Sequence, residues 1–235
     1  MKILGLDSTA NICTAAISDD NRLVAEFTVN VGNTHSETLL PLIEQMLKLS
    51  NTDISEIRLF ATSIGPGSFT GVRIGAATVK GLAFGKNIPL CEVSTLEALA
   101  ENLSAFDGIL CPVINARRMQ VYNALFMCEN GVITRLTPDR AISVEELDAE
   151  LSSYNKPIYL SGDGYTICKN TFKLTITMDT EDKARLHSGY SVCKVAKKMF
   201  DSGNTVNDKE LSPSYLRLSQ AERERNEKLN SGVKF

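Results

Sequence analysis

The stretch Ile64-Gly65-Pro66-Gly67-Ser68-Phe69-Thr70-Gly71-Val72-Arg73-Ile74-Gly75 follows an apolar, strand-like run and opens a helix-like one. Six of the fifteen glycines of the chain lie between positions 65 and 85. Inside a helix a glycine costs about 1 kcal/mol relative to alanine, so the glycines at 71, 75 and 81 must serve geometry. Two geometries are open: a loop that binds phosphate, or a helix that packs unusually close to its neighbours.

None of the established motifs for phosphate binding or nucleophilic catalysis fits this stretch, although backbone N–H groups at a helix N-terminus do bind anions. The G-x-x-x-x-G-K-[ST] loop requires a lysine, but Gly65 and Gly71 are one residue too far apart and Val72 follows. In G-x-G-x-x-G the third glycine is replaced by Thr70. The nucleophile elbow G-x-S-x-G fails because Ser68 lacks glycines at the required positions.

The spacing of the small residues therefore favours close packing, with anion binding as the alternative. Gly71 and Gly75 lie four apart on one helix face, and a second set with this spacing is Ala77, Gly81 and Gly85. Apart from Arg73 and Lys80, the predicted helix is apolar or small almost all round. Such a helix needs cover on both sides.

The order of predicted elements repeats along the chain. Strands are predicted at 2–8, 12–18, 22–29, 58–64 and 90–93, and helices at 36–50, 70–84 and 95–103. Further strands are predicted at 109–114, 119–128, 132–136 and 157–161, with helices at 144–152 and 191–200. Two capping boxes, Ser94 to Glu97 and Ser143 to Glu146, mark helix starts. The pattern predicts an α/β protein with two lobes of β-β-β-α-β-α topology, at 1–106 and 107–218, followed by a charged tail at 219–235.

Composition narrows the class of protein. The chain has 235 residues, of which 43% are hydrophobic, and a formal net charge of −3, which argues against an autonomous nucleic-acid binder. No run approaches the roughly 20 apolar residues of a membrane span, and the first residues do not form a signal peptide. Six single cysteines without a C-x-x-C pair indicate core residues in a reducing cytoplasm.

A carboxylate at the end of the first strand is the best candidate for a nucleotide site. Asp7, with Ser8 and Thr9 in the following turn, could hold a hydrated magnesium while turn N–H groups face phosphate. The alternative is an aspartate that bonds its own turn. The matching turn of the second lobe is Asn115-Ala116-Arg117-Arg118, and Gly162-Asp163-Gly164 has the composition of an ordinary strand-to-helix turn.

The histidines give little support for metal catalysis. The chain has two, His35 and His187, far apart in sequence, and neither forms the i, i+4 pair that binds zinc on a helix. His35 is predicted to be a polar residue at a helix start. Serine and cysteine catalytic triads stay open, without a local signature for either.

Taken together, several motifs resemble the TsaB (YeaZ) family over nearly the whole chain. They are the glycine stretch, Leu6-Asp7-Ser8-Thr9, His35-Ser36-Glu37-x-Leu39-Leu40-Pro41, Ala116-Arg117-Arg118-x-Gln120-Val121-Tyr122 and Pro213-x-Tyr215-Leu216-Arg217. The family usually has aspartate where this chain has Asn115, which argues against a charged ligand or metal at that turn.

The resemblance implies the two-lobed, ribonuclease H-like fold of actin, heat-shock chaperones and sugar kinases, with a reduced second lobe. It implies a non-catalytic scaffold without a cofactor, required with TsaD and the ATPase TsaE. Their reaction transfers threonylcarbamoyl from threonylcarbamoyl-AMP to the adenosine next to the anticodon, in tRNAs that read codons beginning with A. The alternatives are a nucleotide-dependent enzyme, either an ATPase or a small-molecule kinase, and a peptidase-like protein.

The resemblance also implies a partner surface on two helices of the first lobe, used for TsaD or for a second copy of the chain. Its residues are His35, Leu39, Leu40, Ile43, Leu47, Val72, Arg73, Ala76 and Lys80. An apolar set too wide for one sheet gives this surface a physical basis. Candidates for tRNA contact, chosen only by charge, are Lys194, Lys197, Lys198, Arg217, Arg223 and Arg225.

Overall fold

The computed structural model describes residues 1–31 and 34–216, and its first sheet has the strand order β3-β2-β1-β4-β5. The strands are β1 (Lys2–Asp7), β2 (Cys13–Asp19), β3 (Arg22–Val29), β4 (Ile57–Gly65) and β5 (Leu90–Ser94). β1, β2 and β3 form an antiparallel meander, and β4 and β5 extend the sheet in parallel with β1.

Two long helices cover one face of this sheet. They are α1 (His35–Leu49) and α2 (Phe69–Ala83). The buried side of α1 consists of Leu39, Leu42, Ile43 and Met46, which join Ala76, Val79 and Ala83 of α2 in one core with the sheet. A shorter helix, α3 (Thr95–Glu101), packs on the second lobe and on the last helix of the described chain. The sequence predicted each of these strands and helices, and it placed most of their ends within two residues of the observed ones.

The second lobe repeats the arrangement around a new central strand, which confirms the predicted two-lobed fold. Its strands are β6 (Gly108–Asn115), β7 (Gln120–Asn123), β8 (Phe126–Glu129), β9 (Val132–Arg135), β10 (Arg140–Ser143) and β11 (Ile158–Ser161). Their order is β10-β7-β6-β8-β9, with β11 parallel to β6 as β4 is to β1. Its helices are α4 (Val144–Leu151), α5 (Tyr165–Thr171) and α6 (Asp182–Arg185).

The predicted second lobe, 107–218, is wrong at its C-terminal end. The helix α7 (Gly189–Asp201) packs its apolar face on the first sheet, where Val192, Val195 and Ala196 are buried. A Cβ on Gly189 would lie 2.6 Å from the Ala16 nitrogen, so glycine there lets the helix approach the sheet. The chain thus returns to the first lobe after residue 186, and the predicted tail at 219–235 lies outside the described residues.

The predicted and observed elements of the two lobes also differ at a few points, each with a local cause. The strand predicted at 119–128 is two strands, because both β7 and β8 pair with β6 but at opposite ends of it. The Ser143 capping box has both its hydrogen bonds. At Ser94 only the first half forms, since the Glu97 carboxylate accepts a bond from Arg135 at 2.8 Å instead. β10, α5 and α6 were not predicted.

The cysteines are core residues, as predicted: all six are buried and unpaired. Burial raises the pKa of the Cys91 and Cys168 thiols to about 12. In the part of the chain that the structure describes, no helix combines the length and the apolar character needed to cross a bilayer.

Close packing at the glycine stretch is confirmed at Gly71 and Gly75. A Cβ on Gly71 would lie 1.9 Å from the Ser8 carbonyl oxygen, and one on Gly75 would lie 2.7 Å from the Thr62 hydroxyl. The same prediction is wrong at Gly81, where a Cβ would meet no described atom within 4 Å. Gly85 is equally open, and its φ of +71° follows the end of α2.

These glycines form a matched pair for a stability test. Gly71→Ala should lower the free energy of unfolding by at least about 2 kcal/mol, because backbone must move to admit the methyl group. Gly81→Ala should raise it by about 0.5–1 kcal/mol, because alanine is the better helix former. Urea denaturation of the two variants measures both changes. Equal effects at the two positions would contradict the packing described here.

Candidate functional site

Asp7, the predicted nucleotide-site residue, is a buried hydrogen-bond hub at the C-terminal end of β1. Its Oδ1 accepts bonds from the Thr9 amide at 2.8 Å and from the Thr9 hydroxyl at 2.7 Å. Its Oδ2 accepts a bond from the Ser63 hydroxyl at 2.6 Å and lies 3.1 Å from Nδ1 of His187. The Asp7 and His187 side chains are each 1% exposed, so the contact is buried, and it is an ion pair when His187 is protonated.

The two members of the pair shift each other's titration. Burial, the largest effect on Asp7, would raise its pKa, but the attraction and hydrogen bond of His187, with the bonds from Ser63 and Thr9, lower that pKa to about 2. Burial would lower the pKa of His187, but Asp7, with a contribution from Asp163, raises it above its ordinary value. Mutual stabilisation of the charged forms therefore outweighs desolvation at both residues.

Of the two interpretations of Asp7 given by the sequence, this geometry supports an aspartate that bonds its own turn. Asp7, Ser8 and Thr9 are at most 1% exposed, and the Asp7 carboxylate already has four polar partners. It is not placed to hold a hydrated magnesium. Sequence reasoning missed His187 as its partner, because 180 residues separate the two and no spacing pattern links them.

The glycine loop is clamped between two backbone segments. The Ser68 amide donates to the Thr9 carbonyl at 2.6 Å, and a Cβ on Gly67 would lie 2.5 Å from that oxygen. On the other side the Ser214 amide donates to the Ile64 carbonyl at 2.8 Å. The Ser68 hydroxyl caps α2 by accepting the Gly71 amide at 3.2 Å. Much of the loop backbone is therefore in contact with the Thr9 and Ser214 segments.

A cleft of about 590 Å³ lies between the lobes at this loop. The β1–β2 turn, the glycine loop, the β6–β7 turn and the C-terminal end of the described chain form its walls. Its polar and aromatic lining residues include Asn11, Ser68, Thr70, Asn115, Arg117, Tyr122, Asp163 and Tyr215. Among the described residues no group of three or more histidine, cysteine, aspartate or glutamate side chains could hold a metal ion.

Asn115 shapes the β6–β7 turn at the rim of this cleft. Its side-chain oxygen accepts a hydrogen bond from the backbone amide of Arg117 at 2.8 Å, and its backbone amide donates to the Asp163 carboxylate at 2.8 Å. An aspartate at position 115 could accept the same hydrogen bond from Arg117. The asparagine side chain therefore stabilises this turn as well as the family's usual aspartate would. The three residues that follow Ala116 all have left-handed φ values, of 63°, 51° and 57°.

Arg73 joins α2 to the C-terminal segment. Its guanidinium carbon lies 3.9 Å from the centre of the Phe69 ring, and its Nε donates to the Tyr215 hydroxyl at 2.9 Å. Phe69 and Tyr215 stack with ring centres 4.5 Å apart. The motif that ends in Arg217 is therefore packed onto the start of α2 through Tyr215, while Arg217 lies outside the described residues.

The predicted partner residues divide into core and surface. Leu39, Ile43, Val72 and Ala76 are at most 5% exposed and lie in the chain's own core, so the expectation that their apolar faces await an external partner is wrong. The two helices cover each other and the sheet, which accounts for the wide apolar face of α1. His35 lies at the start of α1, as predicted, and its Nε2 contacts the Ala10 carbonyl.

Both helices nevertheless leave apolar residues on their outward side. Leu40 is 53% exposed and Phe84 is 76% exposed. We call the outward side of these helices the α1–α2 surface; it consists of Leu40, Leu47, Arg73, Ala77, Lys80, Gly81 and Phe84. Leu47 and Lys80 are half-buried members of this set, and the others are exposed.

The predicted tRNA contacts receive no support from the geometry. Lys194 and Lys198 both pair with the buried Glu101, at 3.1 and 2.7 Å, and Lys197 pairs with Asp201 at 2.7 Å. These lysines tie α7 to α3 and to its own last turn. The remaining candidates, Arg217, Arg223 and Arg225, lie outside the described residues.

Comparison with known proteins agrees with this fold and these motifs. The family model described as "TsaD: tRNA N6-adenosine threonylcarbamoyltransferase" matches residues 29–225. A protein of Bacillus subtilis named "tRNA threonylcarbamoyladenosine biosynthesis protein TsaB" is 29% identical over 94% of this chain and 96% of its own length. The chain belongs to the TsaB (YeaZ) branch of this family.

Two further relatives agree. The Escherichia coli protein with the same name is also 29% identical, over 94% of this chain and 96% of its own length. The solved structure of YeaZ from Pseudomonas aeruginosa superposes with a TM-score of 0.80 at 23% identity, covering 92% of this chain and 99% of that one. The two-lobed fold predicted from the TsaB (YeaZ) resemblance is thus the fold of this chain.

The Asp7–His187 pair predicts a specific dependence of stability on pH. The pKa of His187 is raised, so its contribution is complete below about 6.5 and is lost as pH rises through the raised value. The pKa of Asp7 is lowered, so its contribution holds above about 4 and is lost as pH falls through about 2. Stabilisation by the pair is therefore greatest between about pH 4 and 6.5.

Replacing the histidine tests this pH window. His187→Gln should lower the free energy of unfolding at pH 6 by about 3–5 kcal/mol, because it leaves Asp7 buried without its cation. The difference from wild type should shrink on the alkaline side. Urea denaturation across the pH range measures it, with Ser63→Ala as a control that removes one hydrogen bond of Asp7 but keeps the titrating partner. A difference that does not change with pH would contradict the ion pair.

Proposed function

We propose that this chain acts in tRNA threonylcarbamoyladenosine biosynthesis as a non-catalytic subunit that binds a TsaD transferase through the α1–α2 surface. With TsaE it supports transfer of threonylcarbamoyl from threonylcarbamoyl-AMP to the adenosine next to the anticodon, in tRNAs that read codons beginning with A. It works in the cytoplasm and meets tRNA through the complex. The exposed apolar character of the α1–α2 surface carries this proposal, together with the family to which the chain belongs.

The use made of Asp7 supports a non-catalytic role. In a two-lobed fold the carboxylate that ends the first strand is suited to hold a hydrated metal beside a phosphate. Here it is buried and holds His187, Ser63 and Thr9. The glycine loop beside it carries no lysine and is packed against Thr9. The residues best placed for phosphate chemistry are therefore engaged in contacts within the first lobe and with the segment that leads into α7.

The chemistry of α2 supports a protein partner. Gly81 has open space around its Cα, and with the exposed Ala77 it allows another backbone to approach closely. The sequence from Ile57 to Cys91 contains no acidic residue but includes Arg58, Arg73, Lys80 and Lys86. The outward face of α2 is thus small and basic, and it complements a helix that carries acidic residues. A second copy of the chain would compete for the same surface.

Leu40 provides the test of this surface. Leu40→Asp should weaken binding to the TsaD partner at least about tenfold, because a carboxylate would be buried without a cation. It should leave the fold intact, since Leu40 is 53% exposed. Calorimetric titration measures the affinity. Leu136→Asp is the matched control, because Leu136 is 41% exposed but lies on the second lobe.

Two outcomes distinguish an effect on the α1–α2 surface from an effect on the stability of the fold. Equal affinity of the Leu40 variant and wild type would remove α1 from the interface. Weakened binding by the Leu136 control as well would mean that the charge acts through the fold instead. Ile43→Asp is unsuitable here, since Ile43 is 2% exposed and the variant would destabilise the core.

The nucleotide-dependent enzyme is the second candidate, and the cleft of about 590 Å³ is the observation in its favour. Titration of the chain with ATP and magnesium, followed by a phosphate-release assay, distinguishes the two proposals. Heat of binding that disappears in a Thr70→Arg variant, which fills the cleft, would favour this candidate. No observation favours a peptidase: His187 is paired with Asp7, and His35 contacts a backbone carbonyl.

A further inference from the structure

The chain that follows α7 runs back across the first lobe to the N-terminal end of α2. We call residues 211–216 the C-terminal strap; its first residue is buried in the core that α1 and α2 share with the first sheet. The Ser212 amide donates to the Glu92 carboxylate of β5 at 2.6 Å, and the Ser214 amide donates to the Ile64 carbonyl of β4 at 2.8 Å. The backbone of the strap is therefore fixed up to its last two residues.

The strap ends in an aromatic cluster at the surface. The Tyr215 ring stacks on Phe69, the first residue of α2, and the Arg73 guanidinium lies over the Phe69 ring. The bond from Arg73 Nε to the Tyr215 hydroxyl closes the cluster. It stays open to solvent, since Tyr215 is 43% exposed, Leu216 is 36% exposed and Arg73 is also exposed. A large aromatic side chain is thus held in one orientation at the surface.

The positive charge of this cluster is available to an external group. Arg73 uses its Nε for Tyr215, and within residues 1–31 and 34–216 no carboxylate forms an ion pair with it. The helix that carries it, α2, contains no acidic residue. A guanidinium can bind a carboxylate through both terminal nitrogens, and one that is already oriented loses less conformational entropy on binding. The cluster is therefore suited to a carboxylate that lies beside apolar side chains.

The cluster is continuous with the α1–α2 surface, because Arg73 belongs to both. Tyrosine and arginine are enriched among the residues that dominate the energetics of protein interfaces. Such residues contribute most when their neighbours already hold them in the bound orientation. Tyr215 and Leu216 lie at the wall of the cleft. They extend the α1–α2 surface past the start of α2 to the rim of the cleft.

We propose that the C-terminal strap is part of the surface that binds the TsaD transferase, with Tyr215 in direct contact and Arg73 as the residue that positions it. The partner supplies a carboxylate to the terminal nitrogens of Arg73 and apolar side chains to the Tyr215 ring. This inference rests on the function proposed above, and it adds a third segment, remote in sequence, to the two helices. The contact is made at the rim of the cleft and does not require a ligand inside it.

Calorimetric titration of the full chain with its TsaD partner tests the strap. Tyr215→Ala should raise the dissociation constant at least about tenfold, because the partner loses the ring on which it packs. The fold should be kept, since the ring is partly exposed. Tyr159→Ala is the matched control, because Tyr159 stacks on Phe106 in the second lobe with ring centres 4.9 Å apart. It should leave the dissociation constant unchanged.

The Leu40→Asp variant separates this proposal from the one on which it rests. If Leu40→Asp weakens binding and Tyr215→Ala binds like wild type, the role of the strap is overturned and the α1–α2 surface stands. A wild-type chain that does not bind its TsaD partner overturns both proposals. If Tyr159→Ala weakens binding as strongly as Tyr215→Ala, the loss comes from the fold, and the role of the strap is overturned.

A double-mutant cycle tests whether Arg73 positions Tyr215. Arg73→Ala and Tyr215→Ala should each weaken binding, but the double variant should lose less than the product of the two factors, because the two side chains act as one unit. Arg73→Lys should not restore wild-type affinity, since lysine keeps the charge but lacks the planar guanidinium. The affinity of Arg73→Ala should also depend less on salt than that of wild type. Independent factors in the double variant, or full affinity of Arg73→Lys, would contradict the positioning role.

Discussion

The buried contact between Asp7 and His187 holds the architecture of this chain together. Asp7 ends the central strand of the first sheet, and His187 directly precedes the helix that returns from the second lobe to cover that sheet. A buried carboxylate is stable only when its hydrogen-bonding capacity is satisfied. Ser63 from β4 and Thr9 from the first turn supply the hydrogen bonds of Asp7 that His187 does not. Three separate segments of the chain thus meet at one carboxylate: β1 with the turn that follows it, β4, and the segment before α7.

Close backbone contacts at glycine surround this pair and serve the same end. Gly71 of α2 lies against the Ser8 turn, and Gly189 of α7 lies against β2. Each of these positions excludes even a methyl group, so each brings a helix closer to the sheet than ordinary packing allows. The Asp7 carboxylate and the glycine loop are thus both engaged in contacts within the protein itself.

Local pattern predicted most of the fold but not its long-range closure. The alternation of apolar residues and the glycine and asparagine turns predicted the strands and helices of the first lobe. The hairpin between β8 and β9 turns at Asn130-Gly131, where both residues adopt left-handed φ values. The return of α7 to the first sheet and the role of His187 were not predictable, because they depend on contacts between residues more than a hundred positions apart.

The candidate site shows the same division. Sequence reasoning identified α1 and α2, but an apolar residue looks the same in a core as on an interface. Ile43 and Leu40 are three positions apart in α1, yet one is 2% exposed and the other 53%. Only the direction of each side chain relative to the sheet separates the two roles, and that direction depends on how the helix is rotated against its neighbours.

We propose that the partner is recognised by the outward faces of α1 and α2 and not by the cleft. Hydrogen–deuterium exchange of the chain alone and with its TsaD partner tests it most directly. We expect protection on binding to be concentrated in peptides from residues 35–49 and 69–84. Protection confined to the turns that line the cleft, with α1 and α2 unchanged, would contradict it.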